Sequence, residues 1–381
     1  MEWNRFATHA AFATLFVGTG IAFGLAGWAS WSPDLAPNAG AFPTNDRVSK
    51  EETVTVPAEA PRASARASLS RIVFAADFAT NGGCADHGTT DRCDLFTASL
   101  DLSTGAVSEI RQATSTPDAS EAYPAWNQNG TVAYASVFKG MREKQVNYVD
   151  LSTGLTGLLV PMATWPEVRP DGESLLYVTS DTGTVMSAAL SNGGLAVGPG
   201  AALTGAKEQH DPDFAPDGNL VVLHQIMADG AHGVILDVAR GTATEWPDRT
   251  GHCAFGLDGM TTICDNSTGG GLFERAFQNG SLGSETLLAD LRPSQLSQYD
   301  PAFASCGGTS FNYPTFCGDT EHLLVSTSCN MGAGAGVTFS RLFLIDLSGS
   351  VPAYRPIGKD LSDRFAGPGK SSWTVDCMTP L

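Results

Sequence analysis

The sequence predicts an all-β fold, a six-bladed β-propeller of four-stranded blades behind an N-terminal single transmembrane helix. Three observations predict it. First, a proline and a glycine six residues apart recur along the chain: PAWNQNG (Pro124–Gly130), PEVRPDG (Pro166–Gly172), PDFAPDG (Pro212–Gly218) and PAFASCG (Pro301–Gly307). A degenerate copy, CAFGLDG (Cys253–Gly259), fills the remaining interval, and successive glycines lie 42, 46, 41 and 48 residues apart. Second, a short apolar run follows most of these glycines. Third, a further turn signal appears once per interval. A period of this size built from strand signals belongs to propellers and arrays.

The elements follow in order. The runs TVAYAS, ESLLYVT, NLVVLH and MTTIC, after Gly130, Gly172, Gly218 and Gly259, are rich in β-branched and aromatic residues and read as strands. The Asn-Gly or Asp-Gly pair before each is a hairpin turn. The second turn is DLSTG at Asp101–Gly105 and Asp150–Gly154, LSNGG at Leu190–Gly194, DVARG at Asp237–Gly241, FQNG at Phe277–Gly280 and DLSG at Asp346–Gly349. Two hairpins per unit give four strands, one blade. The first unit begins at RIVFAAD from Arg71 and lacks an inner strand; SSWTVDC, Ser371–Cys377, is the spare strand expected beside Ile72–Ala75. Such closure removes free edges. The units average about 52 residues, above the usual ~40–45, and the excess is assigned to insertions at Asn81–Cys93, Gly308–Thr320 and Asn330–Val337.

The pattern Pro-x-(Trp/Phe)-x-x-(Asp/Asn)-Gly followed by an apolar strand resembles the repeats of TolB-like six-bladed propellers. The resemblance covers Arg71–Leu381, with departures at Cys253, in place of the proline, and at Cys306, in place of the turn acid. It implies the fold. TolB itself carries an α/β domain before its propeller, and the segment ahead of Arg71 is too short and polar to supply one, so a Tol–Pal role is not what it implies.

Residues 1–31 are expected to anchor the chain. Ala10–Trp31 holds 22 residues without a charge, and a helix of that length spans roughly 33 Å, enough for a bilayer core. Trp3, Phe6, Trp28 and Trp31 flank it as an aromatic belt would. A cleaved signal segment is the rival reading. Gly20, Gly24 and Gly27 form a small-residue face that allows another helix to approach. Residues 32–69, with prolines at 33, 37, 43, 57 and 61, make an extended linker that cannot bury a core. The propeller then occupies 70–381.

Eight cysteines behind an export signal suggest disulfides. Spacing favours Cys253–Cys264, Cys84–Cys93, Cys306–Cys317 and Cys329–Cys377, although eight cysteines allow 105 pairings. No CxxC or Cys/His cluster with ligand spacing favours zinc. The net charge of −18 opposes nucleic-acid binding.

Catalytic signals are weak. There is no GxSxG elbow, P-loop or dinucleotide fingerprint, and GAGAG at Gly332–Gly336 lies between strands. The sequence therefore reads as a non-enzyme without a cofactor. The candidate surface is the propeller rim, with Tyr123, Trp165, His210, Asp211, His252, Tyr299 and Asp300. Aromatics beside carboxylates suit a peptide or small polar ligand. Asp211, His252 and Asp300 have metal-ligand chemistry, and the simpler reading is that they cap the channel.

The expected role is a scaffold or accessory subunit of a bacterial membrane complex, photosynthetic or respiratory complexes being candidate hosts. It would contact membrane protein partners through helix, linker and propeller, from the inner membrane with the propeller in the periplasm. The alternatives are a TolB-like binder of a peptide or envelope polymer at the rim, and a propeller lyase or hydrolase.

Overall fold

A computed structural model of the protein describes residues 69–76, 93–139, 143–266, 270–330, 337–357 and 375–378. The expected anchor at 1–31, with Gly20, Gly24 and Gly27, and the linker expected at 32–69, all but its last residue Leu69, lie outside the described residues; Leu69 already belongs to a strand. Among the described residues no helix is long and apolar enough to cross a membrane.

The fold is an all-β propeller. β1 (Leu69–Ala76), β2 (Asp94–Asp101) and β3 (Val107–Gln112) form the first antiparallel sheet. β4 (Ser120–Trp126), β5 (Val132–Lys139), β6 (Glu143–Asp150) and β7 (Leu155–Pro161) form the second. β8 (Ala163–Val168), β9 (Ser174–Thr179) and β10 (Val185–Ser191) continue into the short β11 (Ala196–Val197) and β12 (Ala201–Ala202), both paired with β10. β13 (Gln209–Phe214), β14 (Leu220–Met227), β15 (Gly230–Asp237), β16 (Thr242–Phe255), β17 (Thr261–Asn266), β18 (Gly271–Gln278), β19 (Ser281–Leu282) and β20 (Thr286–Asp290) make one eight-stranded sheet. β21 (Gly308–Phe316), β22 (His322–Asn330), β23 (Val337–Asp346) and β24 (Ala353–Pro356) make another. The last strand, β25 (Val375–Cys377), joins the first sheet, pairing Ile72 with Cys377, Val73 with Asp376 and Phe74 with Val375. Helix is confined to three short segments among the described residues, Asn192–Gly194, Pro293–Leu296 and Pro301–Ser305.

The turn chemistry produces these hairpins. The Gly172 and Gly218 N–H groups each donate to a carbonyl three residues back, Arg169 and Ala215, at 2.8 Å. Their φ values of +74° and +69° suit a residue without a Cβ. At the second turn the Asp150 carboxylate accepts the Ser152 N–H at 2.9 Å, and the Gly154 N–H donates to the Asp150 carbonyl at 2.7 Å.

Among the described residues there are five sheets where six separate ones were expected. The reason is β16, which has no turn pair in its middle. Its first part, Thr242–Arg249, pairs with β15, and its second, from Thr250 to Phe255, pairs with β17. One strand thus serves as the last of one four-stranded group and the first of the next. The first strands of the groups form a closed circuit: β25 lies beside β4, then β8, β13, β16 and β21 follow, and β21 lies beside β25.

Apolar residues fill the spaces between successive sheets. Val73, Leu95, Trp126 and Ala133 join the first sheet to the second. Tyr134, Val146, Leu175 and Tyr177 join the second to the third. Ile72, Phe74 and Leu100 meet Leu324 and Leu344 where the first sheet faces the last. Both faces of inner and middle strands such as β4 and β5 are thereby buried, which is why those runs read as near-continuous apolar stretches, while outer strands such as β3 stay exposed.

The last proline–glycine copy is corrected. Pro301–Ser305 is a 3-10 helix whose N-cap Asp300 accepts the Ala302 N–H at 3.0 Å. The inner strand is β21, within the stretch assigned to an insertion, and its proline is Pro314. PAFASCG lacks the turn acid, and the turn instead uses Gly318 and Asp319, where the Cys317 N–H donates to the His322 carbonyl at 2.9 Å.

The disulfides between described residues are Cys253–Cys264, Cys306–Cys329 and Cys317–Cys377. The expected Cys306–Cys317 and Cys329–Cys377 pairs are not formed. Cys306 lies just past the 3-10 helix, which packs on β22 and β23 through Phe303 and Phe343, 5.7 Å apart, whereas Cys317 ends β21 facing the closing strand. Cys93 is disulfide-bonded, and among the described residues there is no free cysteine; Cys84 lies outside them.

Candidate functional site

Every inner strand but the last carries a ladder shift at the same place. The register slips between Ala122 and Ala125, Thr164 and Glu167, His210 and Asp213, Thr250 and Cys253, and Ser310 and Tyr313. In three of the five the bulge contains an X-Pro pair. Proline has no N–H to withdraw from the ladder, so it sits at a bulge without cost. The residue before it takes a left-handed backbone at three positions, with φ +52° at Tyr123, +50° at Trp165 and +54° at Asp211. That conformation is uncommon for residues with a Cβ and marks a constrained site.

The bulged strands surround an axial cavity of about 400 Å³. The lining segments run in the same chain direction. Tyr123, Trp165, Asp211, His252 and Tyr313 therefore mark one end, and Gln128, Arg169, Pro216 and Leu257 the other.

At the first end six rings close a circle. Tyr123 lies 5.3 Å from Trp165 and Trp165 4.8 Å from His210, centroid to centroid. His210 lies 5.0 Å from His224 and His224 5.4 Å from His252. His252 lies 3.6 Å from Tyr313, and Tyr313 6.2 Å from Tyr123. Below this circle three carboxylates line the cavity: Glu167, Asp213 and Asp376. Asp213 accepts the Phe255 N–H at 2.7 Å and Asp376 accepts the Trp126 N–H at 3.1 Å, so each ties its own strand to a neighbouring inner strand.

Removal from water is the main influence on these acids. It raises Asp213 to about 7, with repulsion from Asp376 and Asp211 adding to it, and raises Asp376 to about 7. Glu167 is pushed well above the usual carboxylate range by burial and then by Asp213, Asp376 and Asp211. His224 is held well below the ordinary imidazole value, first by burial and then by His210 and His252. It is therefore neutral at physiological pH. A cluster of acids that a nearby cation would ionise, beneath a ring of aromatic and imidazole groups, favours cationic groups and offers flat apolar faces.

Of the sequence-predicted residues, Tyr123, Trp165, His210, Asp211 and His252 come together here. Tyr299 and Asp300 do not. Tyr299 is an exposed residue stacked on Tyr354 at 5.2 Å, and Asp300 caps the 3-10 helix and pairs with the Arg341 Nε at 3.1 Å. They were placed by the misassigned Pro301 copy. Their counterpart is Tyr313, before Pro314. The sequence reading also missed Glu167 and Asp213, each directly after a motif proline, and Asp376 in the closing strand. His224 was missed because it sits on the second strand of its group, where no motif points.

No family model and no curated protein matches the chain. Among solved structures it is similar to TolB from Acinetobacter baumannii, with TM-score 0.56 and 15% identity over 82% of this chain and 67% of that one. It is also similar to a chain of the nidogen/laminin complex, with TM-score 0.52 and 10% identity over 82% of this chain and 100% of that one. These likenesses establish a TolB-like propeller fold, at an identity too low to carry a function.

Proposed function

We propose that the chain is a non-catalytic propeller that acts by protein contact, as an accessory subunit of a bacterial membrane complex, with the ringed end of its channel as the docking face. The reading counts six blades, because β16 serves two of them and the circuit of inner strands has six members. The uncharged stretch Ala10–Trp31 would hold the disc at the inner membrane, and its disulfides suit the periplasmic side.

The observation that carries the reading is the closed circle of Tyr123, Trp165, His210, His224, His252 and Tyr313 above Glu167, Asp213 and Asp376. Tyr and Trp dominate the energetics of protein interfaces, because they bury a large rigid area at low entropic cost. The acids beneath favour a partner segment that presents Lys or Arg. This is also the surface a TolB-like peptide binder would use.

The test is co-purification. The full chain is extracted in mild detergent, intact or as Trp165→Ala/Tyr313→Ala, and as Gly20→Ile/Gly24→Ile. The ring variant should lose its partner with an unchanged melting temperature of the propeller, a loss of at least about 2 kcal/mol of binding for an anchor pair. The helix variant should weaken membrane association in the complex. Retention of the same partners by the ring variant would overturn the docking face.

A further inference from the structure

We propose that Asp211, His224 and His252 form a divalent transition-metal site of the zinc class at the ringed end of the channel. The proposal goes beyond protein docking and does not depend on it. One carboxylate oxygen and two imidazole nitrogens from these residues all lie within 4.8 Å of one another. Two imidazoles and a carboxylate are a ligand set that zinc and its neighbours accept.

Two further observations point to a cation. The Asp211 Oδ2 to His252 Nε2 separation is 3.9 Å. That is too long for a hydrogen bond. It is near the span two ligands keep across a centre with bonds of about 2.0–2.2 Å, roughly 3.3–4 Å. The Nδ1 of His224 is buried and has no hydrogen-bond partner among the described residues. An orphaned buried acceptor of this kind is rare and needs an explanation; a metal–nitrogen bond supplies one.

Asp265 completes the arrangement. Its Oδ2 lies 3.9 Å from the Nδ1 of His252, and its Oδ1 is buried without a hydrogen-bond partner. At 3.9 Å this is no direct hydrogen bond, but a bridging water or a small closure on metal binding would let the carboxylate fix the tautomer of a ligating His252 and leave its other lone pair for the metal. Three protein ligands leave a fourth position for water or for a donor group of a bound molecule.

The site is built by topology. Asp211 is the bulge residue of β13, His224 stands on β14, and His252 is the equivalent bulge residue of β16. The continuous run of β16 from one group into the next delivers His252 to the flank of the preceding group.

The experiment uses the full chain with its disulfides intact, stripped with a chelator and titrated with Zn²⁺ by calorimetry and with Co²⁺ by visible absorption. One ion per chain should bind, and Co²⁺ should give the d–d bands of an imidazole–carboxylate site. His252→Gln and Asp211→Asn should each weaken Zn²⁺ binding by more than about 10-fold, and Asp265→Asn by about 10–100-fold. Asp300→Asn should leave it unchanged. Each variant is compared at equal melting temperature, and Asp265→Asn keeps the three ligands should one of the ligand variants not fold. No stoichiometric uptake, or uptake indifferent to His252→Gln, Asp211→Asn and Asp265→Asn alike, overturns the site.

Discussion

Trp165 holds a left-handed backbone at φ +50°, and its neighbour Pro166 gives up no hydrogen bond by standing in the bulge. The pair illustrates how single residues set this protein's character: conformations that are costly in isolation are fixed because the surrounding strands leave no alternative. Glu121 is a second case. It is 2% exposed, its Oε2 accepts the Leu95 N–H at 3.1 Å and the Thr114 hydroxyl, and it ties the second sheet to the first. Burial, and to a lesser degree Asp94, raises its pKa from 4.5 to about 7. Between those values the folded chain keeps a proton that the unfolded chain has released. The stabilisation is therefore fully present below 4.5 and is lost as pH rises through about 7. Glu121→Gln keeps an acceptor and cannot ionise. Denaturant melts at pH 4.5 and pH 7.5 should show the variant gaining about 3 kcal/mol on the intact chain across that interval.

At the scale of elements, β16 is the most consequential. Fourteen residues run from the edge of one group into the centre of the next. Trp246, 1% exposed, lies among Val222, Ile235 and Phe277, with the Arg275 guanidinium 5.1 Å from its ring. Trp246→Ala leaves a cavity between two groups at once and should cost about 3–5 kcal/mol, read as a lowered midpoint in a denaturant melt. The hairpins were legible in the sequence because glycine at a left-handed turn leaves an unambiguous mark, as at Gly172 and Gly218. The merged sheet was not, since Thr242–Phe255 reads as two strands whose junction only tertiary packing decides. The Pro301 copy misled for a related reason. Its spacing matches the repeat, yet Asp300 before it caps a 3-10 turn, and the strand lies thirteen residues on at Pro314.

The whole molecule is a closed circuit of inner strands around one axis, and its candidate site belongs to no single strand. Four of the six rings, Tyr123, Trp165, His210 and His252, were accessible at or beside the positions before motif prolines or their equivalents, and a correct last copy would have added Tyr313. His224 and the acids Glu167, Asp213 and Asp376 gain their meaning only when the circuit closes. Alone, each is an acid or imidazole in an apolar strand; together they are a charged axis beneath an aromatic collar. Closure is chemical as well as geometric. Val375–Cys377 pairs with β1, and Cys377 is bonded to Cys317 in the last sheet, 60 residues away in sequence.

That bond is where the account is most exposed. Digestion of the unreduced protein with chymotrypsin and an acid-specific protease, followed by mass spectrometry, separates Cys306, Cys317, Cys329 and Cys377 onto different peptides. A Cys317 peptide joined to the Cys377 peptide and a Cys306 peptide joined to the Cys329 peptide are expected. Peptides joining Cys306 to Cys317 and Cys329 to Cys377 would contradict this, because the terminal strand would then seal the ring in another way.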